Sequence, residues 1–233
     1  MTLNKRKKIY FGIFWIILIT SFIFFAVLLI LMANGYHLNW KIMKLQQTGM
    51  IIINGNLDNI KLKNNNTEKT VNLPYRANRL LPGRYEIIIT KDKYQNWSKV
   101  FNLEGGKAII VNNLVLFYEK PEIKKIDTSE KALNQLKKDF ESRKDNLKIS
   151  GSELYKDNNL VTRFSQPILG AIYDENSNRI YLQTTNELRV IEIDGANNRL
   201  LASLKQVEPT TFSINKNIIQ FVDQSEIYEA IVR

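Results

Sequence analysis

Leu80–Trp97 reads LLPGRYEIIITKDKYQNW. Pro82 presets its own φ, and Gly83 can adopt the positive φ that the second central position of a type II turn requires. A strand is expected to follow. Tyr85, Ile87 and Ile89 would line one face and Glu86, Ile88 and Thr90 the other. Lys91–Lys93 is a polar turn, and two aromatics, Tyr94 and Trp97, come just after it.

Reading outward in both directions, the same grammar repeats. Met50–Ile53 is a short apolar run, and Ile60 and Leu62 alternate with Asn59, Lys61 and Lys63. Asn64–Thr67 is a turn, with Val71 and Leu73 beyond it. Trp97–Leu103 predicts a strand, Glu104–Gly106 a turn, and Ala108–Phe117 a longer strand. Short strands at about 8–12-residue spacing predict a small antiparallel β-sandwich over residues 46–118, closed by Pro121 and able to fold by itself.

Residues 48–116 resemble a PEGA domain, a small β-sandwich module of exported and surface proteins in prokaryotes. Gly49 stands where the family enters its first strand. Leu81, Pro82, Gly83 and Tyr85 match its L-P-G-x-Y motif, and Tyr94 and Trp97 match its G-Y-x-x-W turn. Leu114 and Leu116 match the last strand. Two positions depart from the pattern. Asn56–Asn59 reads NLDN where Pro-Glu-Gly-Ala is expected, and Lys93 replaces the turn glycine. The resemblance implies a binding or architectural module of the cell envelope. Gly49, Leu81, Pro82, Gly83 and Tyr85 would serve as structural motif residues. Tyr94 and Trp97 would too, unless their rings are exposed to contact a ligand.

The compartment follows from the N-terminus. Tyr10–Ala33 holds no charged residue, and as a helix it would span about 36 Å, enough for a bilayer core. It exceeds the apolar stretch of a cleaved signal peptide, so an uncleaved anchor is expected. Lys5, Arg6, Lys7 and Lys8 precede the span, while Lys41 and Lys44 follow it. This bias predicts a cytoplasmic tail over residues 1–9, a transmembrane helix over 10–33, and the remainder outside. Tyr10, Trp15, Tyr36 and Trp40 would form the interfacial aromatic belt.

The chain of 233 residues contains no cysteine and one histidine, His37. Disulfides, thiolate chemistry and Ser-His-Asp triads are therefore excluded or starved of residues, and no cofactor or metal is expected. The formal charge of +10 is partly the topogenic cluster. With the body outside the cytoplasm, nucleic acid is not an expected partner. The expected partners are the lipid bilayer through residues 10–33, a wall or surface glycan, another envelope protein, or a second copy of the chain.

After Pro121, a linker helix is expected over residues 122–146, capped by Asp127 with Glu130 reaching back. Leu133, Leu136 and Phe140 give it one apolar stripe, suited to packing on a sheet. Residues 147–233 are β-rich. AIYDENSNRIYLQTTNELRVIEIDG resembles a propeller blade, with a turn at Asp174–Asn178 and a two-residue hairpin at Asp194-Gly195. About two blades would fit, fewer than a closed ring needs. The fold class expected is mainly β: anchor helix, sandwich, linker helix, partial propeller. The function expected is non-enzymatic. The alternative is an exported hydrolase, or a regulator of one, using Asp174, Glu175, Glu192 or Asp194. Such an enzyme needs two carboxylates facing each other across a cleft.

Overall fold

The computed structural model describes residues 3–39, 43–65, 67–144 and 147–233, and for residues 3–9 the backbone alone. Trp40 and Lys41 lie outside the described residues, as do residues 145–146 at the end of the expected linker. The fold is mainly β with two helices. In chain order these are α1 (Leu3–Ala33), β1 (Tyr36–Asn39), β2 (Lys44–Gln47), β3 (Gly49–Gly55), β4 (Ile60–Asn64), β5 (Thr67–Val71), β6 (Tyr75–Leu80), β7 (Gly83–Thr90), β8 (Trp97–Leu103), β9 (Ala108–Leu114) and β10 (Glu122–Lys125). Then come α2 (Glu130–Ser142), β11 (Leu147–Ser150), β12 (Glu153–Lys156), β13 (Asn159–Arg163), β14 (Ile168–Asp174) and β15 (Arg179–Thr184). The last strands are β16 (Glu187–Glu192), β17 (Arg199–Ser203), β18 (Phe212–Asn215), β19 (Ile218–Asp223) and β20 (Glu226–Ile231).

Two compact units divide the chain. The first takes Met1–Asn54, Pro74–Tyr85 and Phe101–Val111, and the second takes the rest. In the first, Tyr10–Ala33 has a mean hydropathy of 3.0 and none of its most apolar stretch is buried. It is long and apolar enough to cross a membrane, as an anchor or a signal sequence would be. Thr20 donates its hydroxyl to Ile16 O at 2.8 Å, which satisfies it inside an apolar helix. A hairpin of β1 and β2 follows. Ile51 and Ile53 of β3 are fully buried and pair with Ala77 and Tyr75 of β6. Gly49 is fixed by space: a Cβ there would stand 2.7 Å from Lys107 O and 2.9 Å from Glu104 O.

The sheet orders are β6-β3-β9 and β5-β4-β7-β8. In the second unit, Ile60 and Leu62 are buried while Lys61 and Lys63 are exposed, and Leu62 pairs with Ile89. Ile87 and Ile89 are buried as the alternation predicts. Two expectations for this region are corrected. Gly83 does not sit in a type II turn: it opens β7 at φ +158, a backbone conformation that side-chain-bearing residues rarely adopt, and nothing lies within 4 Å of where a Cβ would stand. The last strand stops at Leu114, because Asn113 at φ +53 redirects the chain before Val115.

The C-terminal part of the second unit contains three open antiparallel sheets: β11-β12-β13, β14-β15-β16-β17 and β10-β20-β19-β18. The first two are meanders, in the third β10 joins the β18–β20 meander out of sequence order at its β20 edge, and none closes into a ring among the described residues. The middle sheet is covered on both faces. One side carries Ile168, Ala171, Ile180, Leu182 and Ile191 against Leu154 of β12. The other carries Ile172, Tyr181, Leu188 and Val190 in a cluster with Phe212, Phe221 and Phe140. All six residues of β15 are therefore buried.

Helix α2 begins later than the sequence suggests. Its N-cap is Ser129, whose hydroxyl accepts the Ala132 amide, and not Asp127. Residues upstream, Glu122–Lys125, are not helical. They pair as an edge strand with β20. The expected stripe does face a sheet: Leu136 and Phe140 are buried, and Phe140 meets Phe212 edge-to-face at 4.9 Å. The Asp174–Asn178 turn forms, with Ser177 donating to the Asp174 carboxylate at 2.6 Å. Asp194-Gly195 does not make a two-residue hairpin. β16 ends at Glu192 and β17 begins at Arg199, and the connection folds on itself through Gly195 N to Glu192 O and Glu192 N to Ala196 O.

Candidate functional site

Lys93 adopts φ +66, the left-handed conformation that glycine takes at little cost. Lys93 thus stands at a position whose backbone conformation favours glycine. The turn points Tyr94 toward Tyr118. Gln95 N donates to Phe117 O at 2.8 Å and Glu119 N to Lys93 O at 3.0 Å, zipping the two segments together. The Tyr94 and Tyr118 rings stack with centroids 4.6 Å apart and planes 26° from parallel. Lys91 Nζ lies 5.5 Å from the Tyr94 centroid, within cation–π range. The hydrogen bond with Tyr118, with burial and the neighbouring phenol adding to it, pushes Tyr94 up to about 12. The phenol therefore stays neutral in any ordinary medium.

Trp97 goes elsewhere. It is 3% exposed, and its Nε1–H donates to Glu192 Oε1 at 2.6 Å. Its ring is core and offers no face to a ligand. Tyr85 hydroxyl donates to Leu81 O at 2.7 Å, a bond that spans Pro82 and Gly83 and explains the four-residue spacing of leucine and tyrosine. Burial raises the Tyr85 phenol above its ordinary range.

The four carboxylates do not assemble. Asp174 caps its own turn, and Glu175 is exposed beside it. Glu192 and Asp194 do converge, but on a cation: Lys99 Nζ lies 2.8 Å from Glu192 and 2.6 Å from Asp194. Asn197 Nδ2 also donates to Glu192 Oε1, and Asn197 Oδ1 accepts the Ser98 amide at 3.1 Å. Gln95 Nε2 donates to Leu200 O at 2.7 Å. These bonds tie residues 95–99 to the β16–β17 connection. The space beside Trp97, Glu192 and Arg199 is about 10 Å³, room for one water at most.

The charges follow from this geometry. Burial pulls Lys99 down, but its hydrogen bonds to Asp194 and Glu192 outweigh that and leave it raised. Burial pushes Asp194 up, and the Lys99 bond with the Ala196 amide overcomes it, leaving the carboxyl below its usual range. Sequence reasoning named Glu192 and Asp194 but missed Lys99. Nothing local signals a partner so far along the chain.

Beside the tyrosine stack lies an open groove of about 830 Å³, reached by Tyr94 and Tyr118. Its walls come from the turn before β4, from Asn113–Leu116, from the β14–β15 turn and from Asn217 and Arg233. Tyr118, the asparagines and Arg233 were not anticipated as site residues, since single polar residues in turns carry no pattern. No protein-family model matches the chain, and no curated protein matches it.

Proposed function

We propose that the protein is a single-pass membrane protein whose β-rich body lies outside the cytoplasm and binds an envelope component without catalysis. Lys5–Lys8 stay on the cytoplasmic side, and residues 10–33 hold the chain in the bilayer. The PEGA-like sandwich over residues 46–118 and the blade-like meanders over 147–233 form the exported body. The observation that carries the reading is the unburied, uncharged and strongly apolar helix Tyr10–Ala33 ahead of a body built largely from strands. A basic cluster precedes that helix.

The non-catalytic part rests on the state of the acids. A carboxylate hydrolase needs an acid and a base with substrate between them. Glu192 and Asp194 share Lys99 beside a space of about 10 Å³, and Asp174 is spent on its turn. No specific observation favours the exported hydrolase, or a regulator of one, over this reading.

An epitope placed after Arg233 tests the topology. Protease added to intact cells should remove it while a cytoplasmic control protein survives. Full protection of the epitope, with other surface proteins cleaved, would overturn the proposal.

A further inference from the structure

The groove beside Tyr94 and Tyr118 has a distinctive chemistry. Asn56, Asn113, Asn176 and Asn217 all stand at its walls with exposed side chains. None of the four amides is engaged by another side chain or by backbone among the described residues. Each amide offers both donors and an acceptor, the pattern that meets a sugar hydroxyl, which also donates and accepts.

Two cations share the groove. Among the described residues, Lys91 Nζ lies over the Tyr94 ring and has no carboxylate partner, and Arg233 gives its Nε–H to Lys216 O at 2.6 Å. Among the described residues that line the groove, none carries an acidic side chain. The stacked tyrosines add a rigid neutral surface at one end, where the C–H face of a sugar ring can lie. The volume of about 830 Å³ falls in the range of small-ligand sites, ~300–1,000 Å³.

We infer that this groove binds a segment of an acidic polysaccharide, with Lys91 and Arg233 meeting the carboxylates, the asparagines meeting the hydroxyls, and the tyrosine pair meeting a ring face. Amides and an aromatic surface distinguish such a ligand from a plain polyanion, which would need the cations alone. The inference rests on the extracytoplasmic placing proposed above and names the partner class for that body.

The test is titration of the full-length protein in detergent with an oligogalacturonate, a neutral oligosaccharide of matched length, and polyphosphate. The acidic sugar should bind at least roughly tenfold more tightly than the neutral one. Lys91→Ala with Arg233→Ala should lose most of that preference. Asn176→Ala with Asn217→Ala should weaken both sugars and leave polyphosphate unchanged. Lys69→Ala, on the exposed strand β5, is the control and should bind as the parent does. Melting curves check that each variant is folded. Equal binding of the neutral sugar, no binding of the acidic one, or polyphosphate binding as tightly with no effect of the asparagine pair would each overturn the inference. Binding by purified protein is independent of protease shaving on cells. Failure of the titration alone removes the ligand class, and failure of the shaving alone removes the topology.

Discussion

Strands β4 and β15 are both short and antiparallel, yet they are buried in opposite manners. β4 alternates, with Ile60 and Leu62 inside and Lys61 and Lys63 outside. β15 is buried at every position from Arg179 to Thr184. β4 lies in a sheet covered on one side. β15 lies in the middle of three layers, so it has no outer face on which to put its polar residues. Two of these are satisfied internally, while the buried Tyr181 hydroxyl has no hydrogen-bond partner among the described residues. Gln183 Nε2 donates to Thr185 O and Glu208 O, while its Oε1 accepts the Thr210 amide at 2.7 Å. Arg179 donates to Ser177 O and Asn113 O, and burial lowers it below its ordinary range. The lesson is that half-buried strands announce themselves by period two, whereas a doubly covered strand reads as an ordinary mixed run.

If the middle layer carries the C-terminal half, its covering contacts should dominate stability. Phe212→Ala removes a fully buried ring that packs on Phe140, and should cost about 3–5 kcal/mol in chemical denaturation. A cost below about 1 kcal/mol would mean the layer is far looser than its burial implies.

Gly195→Val should cost on the order of 2–3 kcal/mol. Gly195 sits at φ +79, and a Cβ there would press into Val161 O, so neither the backbone nor the space tolerates a branched side chain. Gly83→Val meets backbone strain at φ +158 but no neighbour within 4 Å of its Cβ position, and should cost less on the same melting assay. This contrast would be lost if the β16–β17 connection were free to rearrange.

The cluster joining residues 95–99 to that connection should give a pH signature. Asp194 is depressed in the fold, so its stabilisation is full above the ordinary carboxylate value of 3.8 and fades as pH falls through its folded value. Lys99 is raised, so its stabilisation is full below 10.5 and fades as pH rises through its folded value. The melting-temperature gap between the parent and Lys99→Met should be level from about pH 5 to 10 and shrink on both sides. A gap that peaks within that window would assign the cluster to other groups.

The smallest effect tests the turn at Lys93. Lys93→Gly relieves a left-handed non-glycine residue and should stabilise by about 1 kcal/mol, visible as a raised denaturation midpoint. A lowered midpoint would show that Lys93 contributes contacts worth more than its backbone cost.

Much of this was legible in advance. Period-two alternation located β4 and β7, a short apolar run located β3, and the apolar stripe identified the face of α2 that packs. Residues 75–80 escaped, because YRANRL buries only Ala77 and shows no alternation. So did β10, whose four exposed residues carry no signal beyond their pairing with β20. Pro82-Gly83 and Asp194-Gly195 misled on turn type alone: both glycines do take positive φ, but a turn dipeptide reports what the backbone can adopt and not which turn it closes. Of the groove, Tyr94 alone was anticipated. Its other walls come from turns far apart in the chain, and only folding brings them together.

The central claim is that the converging acids are architecture. Glu192→Gln tests it by thermal denaturation run alongside oligosaccharide binding and hydrolysis. The substitution weakens the pair with Lys99 and should lower stability by on the order of 1 kcal/mol. Binding of the acidic oligosaccharide should be unchanged. A parent protein that hydrolyses a wall glycan, with Glu192→Gln abolishing that activity at an unaltered melting temperature, would contradict the account.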